Sequence, residues 1–184
     1  MKLDSLRDVL NESVRDLYSA ETQLVKALPK MAKAASSPEL KAAFTEHLGE
    51  TKVQIERLDQ VCELLGVKAK GKTCHAMKGL IEEGTEVIEA KGDASAKDAA
   101  LIGAAQKVEH YEIAGYGTAR TFASILGEDD VVALLQATLD EEGAADEKLT
   151  EIAEAGLNQD AAGEDEDESE DEEDEVKPAR GKKR

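Results

Sequence analysis

At 184 residues the chain has room for one well-buried domain and a tail, and 3% aromatics with no Trp leave Leu, Ile, Val and Ala to build the core. No stretch alternates apolar and polar residues with β-branched enrichment, no run of 18 apolar residues occurs and no basic-then-apolar leader opens the chain. A sheet, a membrane span and a secreted product are therefore not expected, and the sequence reads as a soluble cytoplasmic all-α protein. The charge of −18 is uneven: residues 160–175 carry twelve acidic side chains and no basic one, and the last eight residues then carry five basic ones.

The first helix is expected from Leu3 or Asp4 to about Ala35, with Pro29 kinking or dividing it. Its apolar stripe runs Leu10, Val14, Leu17, Leu24 and Leu28, and Glu21 occupies the position between Leu17 and Leu24. A carboxyl group there must be protonated, paired or metal-bound once the helix packs. Ser37 followed by Pro38 is a helix-start signal, so a second helix runs from Pro38 to Leu65 and stops at Gly66. A polar loop and a short helix from about Cys74 to Ala90 follow. The next long helix covers Ser95 to Leu126, with the stripe Leu101, Ala105, Val108, Ala119, Phe122 and Leu126 and with Glu112 at its centre. The last runs from Asp129 to about Ala155, before Gly156.

Two short links and one connection of nearly thirty residues imply two antiparallel hairpins joined by a crossover along the bundle. A shift of 91 residues places Glu21 on Glu112 and also matches Leu17 with Val108, Leu28 with Ala119, Phe44 with Leu135, Leu58 with Leu149 and Val61 with Ile152. A pseudo-twofold repeat of a helical hairpin accounts for this. The expected domain is residues 1–156, and residues 157–184 form a disordered acidic tail with a basic C-terminus. Contact of those last basic residues with nucleic acid or a membrane surface is the sharper reading of the tail, and solubility the plainer one. Cys62 and Cys74 fit neither a disulfide framework nor a metal motif, and no nucleophilic triad, P-loop or dinucleotide fingerprint is present.

The long helices point further polar residues inward. The second carries Phe44, His47, Thr51, Gln54 and Leu58 on one face with Glu50 beside it. The third adds Glu109, His110 and Glu112, and the fourth Thr138, Glu141, Glu142, Ala145 and Asp146. Carboxylates and imidazole suit iron, manganese or zinc, and four or more acids can hold two divalent ions. The metal-free account is hydrogen bonding of buried Glu to His or to Tyr18, Tyr111 or Tyr116.

The segments DLYSAETQLVKALPKMAKAA, SSPELKAAFTEHLGETKVQIERLDQV, EHYEIAGYGTAR and LDEEGAADEKLTEIA resemble the bacterial YciE/YciF family of ferritin-like stress proteins over about Leu3 to Ala155. The resemblance implies a ferritin-like four-helix bundle, a homodimer, a stress-linked role and a di-metal (iron or manganese) centre handling iron, oxygen or peroxide. The matching positions are Glu21, His47, Glu50, Glu109, Glu112, Glu142 and Asp146. The alternative is a non-catalytic structural or interaction protein without a working metal site.

Overall fold

The apolar stripes find one another as four long antiparallel-paired helices with a shorter one in the crossover. The structure, a computed structural model, describes residues 3–163. Helix α1 spans Leu6–Ala34, α2 Pro38–Leu65, α3 His75–Glu89, α4 Ala94–Ile125 and α5 Asp129–Ile152. A widened π-type turn over Ala153–Leu157 leads into a last short helix, α6, Asn158–Ala162.

Local signals set these boundaries. Ser37 Oγ accepts from Leu40 N at 3.3 Å with Pro38 in the first helical turn, and Gly66 closes α2 at φ 68°, a left-handed conformation open to glycine. Asp93 caps α4 by accepting from Ala96 N at 2.9 Å. Helix α1 runs to Ala34, as expected, and of the two alternatives at Pro29 division does not occur, because Leu28 and Met31 are buried on either side of the proline and their packing outweighs one lost hydrogen bond. One boundary differs from the sequence expectation: the folded chain does not stop at Gly156. That glycine takes φ 141°, which breaks the helix without ending the fold, and Leu157 packs on the core before α6. The acidic run from Glu164 and the basic C-terminus lie outside the described residues.

The core comes in two halves. Leu24, Leu28, Leu40, Phe44, Leu101, Ala105 and Leu149 fill one end of the bundle; Leu10, Val14, Leu17, Leu58, Ala119, Val131 and Leu135 fill the other. Following each helix from one half to the other gives its direction. Helices α2 and α4 run the same way, α1 and α5 the opposite way, so the crossover 66–93 returns the chain along the bundle and α3 covers the seam of α1 and α4. Each apolar pair matched by the 91-residue shift has its two members in, or packed against, opposite halves, as a twofold axis across the bundle requires.

Asp98, 2% exposed, ties the start of α4 to the α1–α2 link by accepting from Ser36 N at 2.9 Å and Ser37 N at 2.6 Å. Among the described residues no helix is long and apolar enough to cross a membrane.

Candidate metal centre

Between the two apolar halves lies a polar layer. Glu21 from α1, His47, Thr51 and Gln54 from α2, Glu109, Glu112 and Tyr116 from α4, and Thr138 and Glu142 from α5 are all buried. Helical spacing puts them there: each lies three or four residues, or a multiple of such steps, from apolar residues of both halves. A fully buried Leu contributes about 1.5–3 kcal/mol, and a buried polar group without a partner costs about 1–3 kcal/mol, more when charged. The layer therefore subtracts substantially from what the two cores supply.

One nitrogen or oxygen from each of His47, Glu109, Glu112 and Glu142 lies within 4.8 Å of all the others. His47 Nε2 stands 3.6 Å from Glu109 Oε1 and 3.7 Å from Glu142 Oε2. Those gaps are too long for hydrogen bonds, yet an ion with bonds of about 2.1 Å bridges them. Eight buried atoms of the layer have no hydrogen-bond partner: His47 Nε2, Gln54 Oε1, Glu21 Oε2, Glu109 Oε2 and both carboxyl oxygens of Glu112 and Glu142. Glu21 sits beside the group of four, and its other oxygen accepts from the Tyr116 hydroxyl. The Glu–Tyr hydrogen bond thus exists, but it satisfies only one of these carboxyl oxygens.

Burial pushes the Glu21 carboxyl up to about 8, against the pull of Tyr116 and His47. Glu112 and Glu142 are raised well above the ordinary carboxyl range by burial and then by the neighbouring acids, Glu21 first. Burial likewise raises Glu109, although His47 opposes it. For His47 burial works downward, but Glu50, Glu109 and Glu21 outweigh it and the imidazole is raised. Without a cation, then, the layer holds protons.

The remaining expected residues sit around this group. Glu50 is not in it: Glu50 Oε2 lies 3.2 Å from His47 Nδ1, fixing the ring so that Nε2 faces Glu109 and Glu142. Asp146 is paired with His110 Nε2 at 3.3 Å, and its Oδ1 is buried without a partner. His110, read as pointing inward, is exposed, because it lies one residue off the stripe of Glu109 and Glu112. Glu141 is held by Arg57 in a two-pronged ion pair, Nη2 to Oε1 at 2.6 Å, with Gln54 Nε2 at 3.2 Å. Burial opposes it, but those partners hold Glu141 below the usual carboxyl range. Arg57 escaped the sequence reading; its signal would have been a lone cation one turn beyond Gln54. Cys74 Sγ accepts from Met77 N as the cap of α3 and lies 2.9 Å from the Tyr111 hydroxyl, which donates to Asp16.

These residues fit a hard or borderline divalent cation. The donors are carboxylate oxygen and imidazole nitrogen, no thiolate takes part, and the orphaned atoms converge.

Comparison with known proteins agrees with this architecture. Protein YciF of Escherichia coli K12 is 51% identical over 162 residues, covering 88% of this chain and 98% of YciF. The crystal structure of that E. coli stress protein superposes with a TM-score of 0.82 over 85% of this chain and 99% of that one. A protein of Rhodopseudomonas palustris, YcfI, is 47% identical with a TM-score of 0.78, over 82% of this chain and 97% of that one. A ferritin-like diiron-carboxylate protein of Bacillus anthracis is 15% identical with a TM-score of 0.63, over 82% and 99%, a likeness that shows the fold: a ferritin-like bundle. Residues 5–162 match the family described as domain of unknown function DUF892, and the chain belongs to that family together with its YciF-like relatives.

Proposed function

We propose that this chain is a ferritin-like stress-response protein that holds iron or manganese at a carboxylate-rich di-metal centre in its polar layer. The observation that carries the reading is the convergence of unpartnered buried atoms on His47, Glu109, Glu112 and Glu142, with Glu21 alongside. Four ionised glutamates balance the charge of two divalent cations with His47 neutral, which relieves the desolvation that otherwise keeps the layer protonated. His47 Nε2 and the carboxylates of Glu109, Glu112, Glu142 and Glu21 would hold the ions. Glu50 orients His47, and Tyr116 orients Glu21. Bound iron or manganese would supply redox chemistry toward oxygen or peroxide. The stress role rests on the likeness to YciF.

Metal analysis after anaerobic reconstitution with Fe(II) or Mn(II) tests this. About two equivalents per chain are expected, abolished by the Glu112→Ala and Glu142→Ala double change; below about 0.2 equivalents the reading falls and a structural, non-catalytic role takes its place. A homodimer belongs to the same proposal and follows from the family likeness. Light scattering at micromolar concentration giving 19.7 kDa would overturn it.

A further inference from the structure

The 91-residue shift that relates the two hairpins also compares the two halves of the α2–α5 seam. In one half Gln54, fully buried, and Arg57 close over the layer by holding Glu141, and Arg57 Nη1 reaches Thr138 Oγ1 at 3.3 Å. The shift pairs Gln54 with Ala145, Arg57 with Lys148, Glu141 with Glu50 and Thr138 with His47. The second half therefore carries a methyl group where the first has an amide side chain. Its cation does not close the gap either, since Lys148 binds the exposed Glu46. What results is a cavity of about 200 Å³ bounded by Glu46, His47, Glu50, Glu109, Ala145 and Lys148.

Three facts give this cavity a direction and a cargo. Of the five titratable groups of the centre, Glu21, Glu112 and Glu142 are fully closed to solvent. The two that retain exposure, His47 at 7% and Glu109 at 3%, both line the cavity. The unpartnered atoms His47 Nε2 and Glu109 Oε2 belong to those same residues. With Lys148 paired to Glu46 and Arg57 to Glu141, the donors left facing the cavity are the carboxyl oxygens of Glu50 and Glu109 and the imidazole of His47, a lining that suits a cation and not an anion. A site of about 10–15 Å³ holds one water, so the cavity admits a cation that still carries part of its hydration shell.

We infer that the open half of the α2–α5 seam is the port through which hydrated divalent cations reach the centre, with Lys148 bound to Glu46 across its mouth. The inference rests on the metal-binding reading and adds the route and its controlling residues. Glu50 receives the ion at the cavity, and His47 and Glu109 are the first inner ligands it meets. Lys148 slows arrival by its charge, and Ala145 keeps the passage open.

Rapid mixing of the metal-free full-length chain with Co(II), followed by its visible absorption, tests the port. Copying the closed half onto the open one, as A145Q with K148R, should slow uptake about tenfold or more while the final stoichiometry stays at the parent value. The surface change K148Q should speed uptake two- to threefold at low salt, an advantage lost at high salt where charges are screened. Parent-like rates in both variants would overturn the port while leaving the metal centre standing. A parent that binds no Co(II) would overturn the centre and the port together. If A145Q with K148R holds no metal at equilibrium, the K148Q rate decides: acceleration supports the port, and no change overturns it.

Discussion

Tyr116 reaches from α4 to α1 and donates its hydroxyl to Glu21, with both side chains closed to solvent. The bond joins a residue of one hairpin to a residue of the other at the level where the two cores part. Tyr116→Phe should lower the melting temperature of the metal-free protein by the equivalent of about 1–2 kcal/mol, since it leaves a second Glu21 oxygen unpartnered. It should also raise the Glu21 carboxyl further, because the hydroxyl favours the ionised form. Thermal melts at pH 6 and pH 8 check both effects.

Glu112 offers the contrasting case, with neither oxygen partnered. Glu112→Gln keeps the volume and removes the cost of protonating or desolvating the acid. The metal-free variant should melt several degrees above the parent while binding Mn(II) about tenfold more weakly or worse. Glu21→Gln should do the same with a smaller gain, because it weakens a hydrogen bond that Glu112 does not have. Variants that melt below the parent and bind Mn(II) as well as it does would favour the metal-free structural role.

The pH dependence follows from the same groups. Glu21 has its carboxyl raised from near 4.5 to about 8, so between those values the folded chain holds a proton that the unfolded chain has released. Stability of the metal-free protein must therefore fall as pH rises through that window, by on the order of a few kcal/mol, and the raised His47 works in the same direction. Metal should reverse the trend, because binding displaces those protons. Melts from pH 5 to pH 8.5 with and without Mn(II) should cross over. Titration calorimetry in two buffers of different ionisation enthalpy should show proton release.

Asp98 gives a prediction independent of metal. Asp98→Ala leaves the backbone N–H groups of Ser36 and Ser37 without their acceptor and should cost about 2–4 kcal/mol, since bonds to a carboxylate are among the stronger ones. Urea denaturation read by circular dichroism measures it, and a midpoint equal to the parent's would contradict the assignment.

The C-terminal end of the fold supplies the last. Leu157 packs on the core and α6 follows it. A chain ending at Gly156 should melt below one ending at Gly163 by the equivalent of about 1–2 kcal/mol, roughly one partly buried Leu.

How far the sequence carried depended on whether a residue broke a pattern. Glu21 and Glu112 stood out because each interrupts an apolar stripe, and both are fully buried. Asp146 and Glu50 did not resolve, because a spacing of three or four residues leaves tens of degrees of freedom around the helix. Only packing separates an inner ligand from a residue behind it. His110 was misplaced for the same reason. The helix beyond Gly156 was missed because glycine after an apolar run reads as a stop, whereas here its positive φ lets the chain turn and resume. Of the three tyrosines that the sequence offers as partners for a buried Glu, Tyr116 is the one that donates to Glu21, and only packing across the two hairpins selects it.

The polar layer has one more effect, on alignment. An apolar bundle rich in Leu and Ala tolerates sliding one helix past another by a turn, since similar side chains meet again. Here a slip of α1 by four residues would carry Glu21 into one of the two apolar halves and bring Leu17 or Val25 against Glu112 and Glu142. The four helices can bring all their acids to one level in only one arrangement. Carboxyl groups that weaken the empty bundle thereby make its alternatives worse still, and they fix the sliding position of every long helix at once.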